Sequence, residues 1–175
     1  MSKSIQFHIL NTISQTLIEV FSKGKHADRM IDKYLRTNRQ WSREDRHFFA
    51  ESVYNIIRQK RYLEFVAESE DLWHLIGAYL ITKNLKTVAR PEFRKIDPAQ
   101  IQNRIKLKKP EAIEYSLPDW LYELGEKEFA AQWPLIAQSL NQDPEIFLRA
   151  NTLKTSVDQL IQDLKSEKIE EVKID

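Results

Sequence analysis

Cysteine is absent from the 175 residues, and that alone removes disulfide frameworks, zinc–thiolate centres and thiol nucleophiles, and suits a reducing compartment. Glycine is nearly as scarce. Gly24, Gly77 and Gly125 stand far apart, so neither a P-loop nor the glycine-rich turn of a dinucleotide site can be assembled, and no cofactor pocket is expected. Proline occurs six times, always after residue 90, which leaves the front of the chain free of helix breakers. With Lys, Glu, Leu, Ile, Gln and Ala plentiful, helix propensity dominates and an all-β reading is excluded. Long apolar runs are missing too. No stretch approaches the roughly 20 consecutive apolar residues that span a bilayer, and the start, Met1-Ser-Lys-Ser-Ile-Gln-Phe-His8, lacks the apolar segment of a secretory signal. The expectation is a cytoplasmic protein with no membrane partner.

What remains is sufficient for a folded core: 42% of residues are hydrophobic and 10% aromatic, enough apolar area to offset the entropy of ordering the chain. The net charge of +1 conceals an asymmetry. Residues 1–109 hold 21 Lys+Arg against 12 Asp+Glu, a net of +9, and residues 110–175 hold 6 against 14, a net of −8. Such a basic front invites a polyanion such as RNA; equally, the two halves can neutralise each other across an interface.

Hydrophobic periodicity places the elements. Ile5, Ile9, Ile13 and Leu17 predict an amphipathic helix over 3–22, closed by Gly24. A second is expected over 26–37, stopping near Asn38. Ser42-Arg43-Glu44-Asp45 resembles a capping box opening a third helix with Phe49, Val53, Ile56 and Ile57 on its buried stripe. Asp71 caps a fourth, carrying Leu72, Leu75, Ile76, Tyr79 and Leu80. Residues 83–109 contain nine Lys+Arg against two Asp+Glu, read as a basic loop through Asp97 and a short helix from Pro98 to about Lys108. A boundary near residue 110 separates a helical domain, 1–110, from 111–175. In the latter, Ser116-Leu117-Pro118-Asp119 opens a helix ending near Gly125, and another runs from Lys127 to Leu140, started or kinked by Pro134. Residues 145–150 read as a strand. Thr155 or Ser156 caps a helix with Val157, Leu160, Ile161 and Leu164, and Val172–Ile174 begins a second strand. The fold class is therefore mainly α, followed by the start of a small α/β unit of βαβ type.

Few constellations carry chemistry. His8, His26, His47 and His74 lack an i, i+4 partner, so no metal site is expected. Paired carboxylates such as Glu44-Asp45 and Glu170-Glu171 suit capping and solvated surface, and no catalytic residue is assigned. The tryptophans at 41, 73, 120 and 133 favour core or cap packing over base stacking. At about 100° per residue, Arg43, Arg46, Arg58 and Arg61 form one basic edge, provided the third helix continues unbroken that far. In Phe147-Leu-Arg-Ala-Asn-Thr-Leu-Lys-Thr-Ser156, Arg149 ends a strand, Asn151 lies in the turn and Lys154 precedes a helix N-terminus. Together they suit a phosphate; alternatively Asn151 only shapes the turn and Thr155 only caps the helix.

That last segment, Leu148 to Ser156, preceded by Leu117-Pro-Asp-Trp-Leu121 and Trp133, resembles the region ahead of the catalytic domain in the RsmB/NOP family of RNA cytosine-5 methyltransferases. Ala27-Asp28-Arg29, Trp41 to Arg46 and Val53 to Arg58 are similar to the NusB-like helical domain that many bacterial members carry. Between Leu85 and Tyr115 the proline-interrupted, basic sequence departs from a full set of closing NusB helices and implies an abbreviated bundle. The resemblance implies a NusB-like RNA-binding domain over 1–110, then a helical connector and an incomplete pre-catalytic α/β domain. It places Arg149, Asn151 and Lys154 in the RNA-contacting motif, whereas RNA contact by Arg43, Arg46, Arg58 and Arg61 rests on charge geometry. The family's chemistry adds a cysteine thiolate to the target cytosine and transfers methyl from S-adenosylmethionine. A thiol-free chain implies that the methyltransferase domain and its S-adenosylmethionine lie beyond Asp175, and that ribosomal RNA and that domain are the partners. The rival reading is a NusB-like protein-interaction or antitermination-type module with no enzyme attached.

Overall fold

The fold begins where the fourth-residue apolar stripe predicts it. In the computed structural model, which describes residues 7–85, 90–142 and 148–167, helix α1 (Phe7–Phe21) buries Ile9, Leu10, Ile13 and Leu17 almost completely; Ile5 lies outside the described residues. Helix α2 (Ala27–Thr37) buries no residue fully and lays Ile31, Tyr34 and Leu35 on the core. It ends at Asn38, whose backbone N–H and side-chain Nδ2 both donate to the Tyr34 carbonyl, at 3.0 and 2.8 Å. The side-chain amide thereby adds a second hydrogen bond to a carbonyl in the last turn, where helix ends are least satisfied.

Helix α3 (Arg43–Arg58) has the expected capping box: Ser42 Oγ accepts from the Asp45 N–H at 3.2 Å and Asp45 Oδ2 accepts from the Ser42 N–H at 3.2 Å. Phe49, Val53 and Ile56 are fully buried, with Trp41 packed on Phe49 at 5.1 Å between ring centres. The helix breaks at Gln59, and α4 (Lys60–Ala67) starts directly after it, burying Leu63 and Val66. Helix α5 (Leu72–Thr82) is capped by Asp71, whose Oδ1 accepts from the N–H groups of Trp73 and His74 at 3.0 and 3.2 Å. From Leu75 to Ile81 every residue is buried. A helix apolar on all sides must be central, and α5 contacts α1, α3, α4 and α6. Gly77 leaves room for the Ile96 side chain, from the segment ahead of Pro98, which a Cβ there would meet.

A single 3-10 turn (Pro91–Phe93) leads to α6 (Pro98–Ile105), where Asp97 caps the Ala99 and Gln100 N–H groups at 2.9 and 3.4 Å and Pro98 occupies the first turn. One turn, α7 (Glu111–Glu114), precedes α8 (Asp119–Phe129) and α9 (Trp133–Leu140). Here the structure corrects two expectations. The helix expected to end near Gly125 runs through it to Phe129, since Gly125 is the slot on which the Trp133 ring lies and any Cβ would occupy the ring's space. The helix expected over 127–140 is divided at Ala130, which turns the chain at φ +46°, and Pro134 then sits in the first turn of α9.

These helices belong to one compact unit, Met1–Asn141, while Gln142–Asp175 forms a second. In the second unit a turn at Asn151 leads into α10 (Val157–Ser166), where Ser156 Oγ caps the Gln159 N–H at 3.1 Å. No strand occurs among the described residues. The expected strand over 145–150 falls partly outside them and its described end, 148–150, is irregular; Val172–Ile174 falls outside them entirely. Among the described residues no helix is long and apolar enough to cross a membrane.

Candidate nucleic-acid interface

The four arginines expected on one helical edge are divided between two helices, because α3 stops at Arg58 and Arg61 belongs to α4. Their guanidinium groups also have different employments. Arg46 Nη1 donates to the Leu35 carbonyl at 2.8 Å, tying α3 to the last turn of α2. Arg61 donates through Nη1 to the Leu117 carbonyl at 2.5 Å and through Nη2 to Asp119 Oδ1 at 2.6 Å. Arg43 is exposed and Arg58 half-buried, and neither makes a side-chain hydrogen bond or ion pair among the described residues.

Around Arg61 the chain builds a fastening that periodicity does not reveal. Gln59, at the start of α4, supplies no side-chain cap. Instead Ser116, from 55 residues downstream, accepts from the Arg61 and Tyr62 N–H groups at 3.1 and 3.3 Å. Ser116 holds φ +55° to reach them, a region that residues other than glycine enter only at some cost. The Ser116-Leu117-Pro118-Asp119 motif therefore caps the start of α4 and leads into α8 at once. An open cleft of about 450 Å³ lies here, lined by Ile57, Arg58, Lys60, Arg61, Ser116 and Asp119, among others. Lys60 pairs with Glu64 and Arg61 with Asp119, so among the described residues Arg58 is the cation lining the cleft that no acid answers.

The second unit brings Asn151 and Lys154 into one turn, with Arg149 two residues ahead, and all three are exposed. Asn151 shapes that turn directly: its Oδ1 accepts from the Leu153 N–H at 3.2 Å, and its carbonyl accepts from Lys154 and Thr155 at 2.8 and 3.0 Å. Thr155 is not the cap; Ser156 is. Arg149 and Lys154 carry positive charge to the entrance of α10, although Asp158 in the first turn offsets part of it.

Other basic residues are also committed within the fold. Lys83 lies 3.8 Å from Glu51, and Arg104 pairs with Glu68. Lys109 donates to the Ile105 carbonyl at 3.1 Å and sits over the Tyr62 ring. Of the tryptophans, Trp41 and Trp133 are core residues, and Trp73 packs edge-on against Phe93 at 5.6 Å. Trp120 departs from the packed reading, being 66% exposed. Among the described residues no group of three metal-ligating side chains comes together.

Residues 117–174 match the family model described as "Methyltr_RsmF/B-like, ferredoxin-like domain". The chain is 26% identical over 202 aligned positions to a protein of Synechocystis sp. named "Probable ribosomal RNA small subunit methyltransferase B", an alignment that covers 93% of this chain and 44% of that protein. The chain thus spans less than half the length of the curated relative it matches. No solved structure matches it.

Proposed function

With both matches supporting an N-terminal region of RsmB/NOP-family type, we propose that the chain is the non-catalytic, RNA-holding front of an S-adenosylmethionine-dependent ribosomal RNA (cytosine-5) methyltransferase acting in the cytoplasm. A NusB-like bundle supplies positive surface, and the Arg149–Lys154 turn lies within the ferredoxin-like segment that precedes the methyltransferase domain. The observation that carries this reading is the match over 117–174, which contains that turn, in a chain with no cysteine. Attack on cytosine needs a thiolate, so the covalent step, and the methyl donor with it, fall to a domain outside these 175 residues.

The test is RNA binding by the chain itself, read as fluorescence anisotropy of a labelled ribosomal RNA hairpin at rising salt. Phosphate neutralisation makes log affinity fall linearly with log salt, by about 0.7 to 0.9 per contact. A steep fall is expected; no binding at low salt, or binding insensitive to salt, overturns the proposal, as would methyl transfer by this chain alone. In the whole enzyme, replacing Arg149 and Lys154 with alanine together should weaken methylation.

One observation favours the rival, a NusB-like protein-interaction or antitermination-type module. Arg46, Arg61 and Arg104 are engaged by carbonyl and carboxylate groups of the fold, so part of the positive charge has a structural use. That reading predicts capture of a protein partner and no RNA.

A further inference from the structure

Separating committed cations from uncommitted ones points to a surface that the arginine edge of α3 does not include. Between Phe93 and Lys109 the sequence has six cations and a single acid, Asp97, and that carboxylate is occupied in capping α6. Two of the cations are held: Arg104 by Glu68, and Lys109 by the Ile105 carbonyl and the Tyr62 ring. The other four, Arg94, Lys95, Lys106 and Lys108, are exposed and make no side-chain hydrogen bond or ion pair among the described residues.

Their places in the fold are ordered by α6. Arg94 and Lys95 stand just before it, and Lys106 and Lys108 just after it. Eight residues at 1.5 Å each make a helix about 12 Å long, which separates the two pairs by the span of several phosphates on a nucleic-acid strand. Between the pairs, α6 exposes Gln100 and Asn103, neutral amides able to meet phosphate, sugar or base edges, and no carboxylate. A purely structural explanation for lysines after a helix is their attraction to its negative end. Lys109 already meets a terminal carbonyl, and the pair ahead of the helix is at the positive end, where cations are disfavoured. Attraction to the negative end of α6 therefore does not account for Arg94 and Lys95, which are exposed to an external anion.

We infer that α6 and its flanking pairs, Arg94-Lys95 and Lys106-Lys108, form a phosphate-tracking surface for the RNA backbone. The inference rests on the RNA-holding reading above and adds to it the element that makes the contact. Since phosphate contacts position without reading sequence, the surface should bind structured RNA of unrelated sequence almost equally.

The experiment uses the full 175-residue chain and a fluorescein-labelled RNA hairpin, in anisotropy titrations over a salt series. Arg94, Lys95, Lys106 and Lys108 are changed together to glutamine, and in separate proteins Arg43 and Arg58, or Arg149 and Lys154, are changed likewise. The α6 variant should lose at least about tenfold in affinity, and its salt slope should fall by about 3, the share of four phosphate contacts. Its thermal melt should stay close to the parent's, because none of the four side chains has a partner to lose among the described residues. Unchanged affinity and slope in the α6 variant, with loss in either control pair, overturns this inference and leaves the RNA-holding reading standing. Failure of the parent chain to bind the hairpin at low salt overturns that reading itself. Competition by poly-glutamate peptide, with no RNA binding through these residues, assigns the surface to an acidic protein and also overturns the inference.

Discussion

Helices α3 and α10 begin with the same device and end in different circumstances. Each is opened by a serine whose Oγ accepts from the third N–H, Ser42 for α3 and Ser156 for α10. Helix α3 then sinks Phe49, Val53 and Ile56 completely. No residue of α10 is buried, and Leu153 in the turn before it is 95% exposed. A cap and an amphipathic stripe are thus enough to define where a helix starts and which way it would face. Stability comes from the partner that covers the stripe, and this is the property that distinguishes the first unit from the described part of the second.

The comparison can be broken by truncation. Phe49→Ala should cost about 3–5 kcal/mol, the usual range for a deleted core aromatic, measured by urea unfolding. Leu153→Ala should stay within about 0.5 kcal/mol, as for other exposed sites, and a larger loss would mean that this leucine has a cover. Overpacking supplies the next effect. Gly125→Val drives a branched side chain into the Trp133 ring, which is 3% exposed and flanked by Tyr122 and Phe129. Destabilisation of about 1–3 kcal/mol, with a shift in tryptophan fluorescence, is expected.

The caps sharpen the contrast further. Ser42→Ala should lower global stability by about 1 kcal/mol, because α3 is part of the core. Ser156→Ala should speed amide exchange in α10 while the main melting transition stays in place. The smallest effect belongs to pH. Lys25 and Lys23 hydrogen-bond the Glu19 carboxylate and bring its pKa from 4.5 to about 2. A folded value below the unfolded one means that the contribution is complete above pH 4.5 and is lost as pH falls toward 2. Glu19→Gln should therefore flatten stability in that interval alone, and modestly, since both lysines are about half exposed and solvent screens their charges.

How much could be read in advance depended on the range of the interaction. The stripes of α1, α3 and α5 and the caps at Ser42 and Asp71 all involve residues a few positions apart, and each was visible as a pattern; the cap at Asp97 is equally local, but the sequence marks only the end of a loop there. The end of α3 was not visible as a pattern. Gln59 is an ordinary helix residue, and the break there is accompanied by a cap from Ser116, which no window around Gln59 contains. The same distance hid the use of Arg61. Its partners, Leu117 and Asp119, follow it by 56 and 58 residues, so charge periodicity counted it as part of an open edge. Gly125 misled for a related reason: as a local signal it marks a helix end, but its lack of a side chain serves the Trp133 ring that packs across it. In the candidate interface, the density of cations around α6 was legible as composition, and the pairing of Arg104 with Glu68 was not.

By itself, the amino-acid order determined the helical character of the chain, the caps at Ser42 and Asp71, the basic and acidic halves, and the exclusion of thiol chemistry. All of these follow from residue type or from neighbours within a turn or two of helix. Tertiary structure decided which helix lies at the centre, where α3 stops, and which basic side chains are engaged by the fold and which stay exposed. Those outcomes depend on carbonyls, carboxylates and rings brought close by folding from distant positions, and in hydrogen bonds and packing a separation of tenths of an ångström settles what a side chain does.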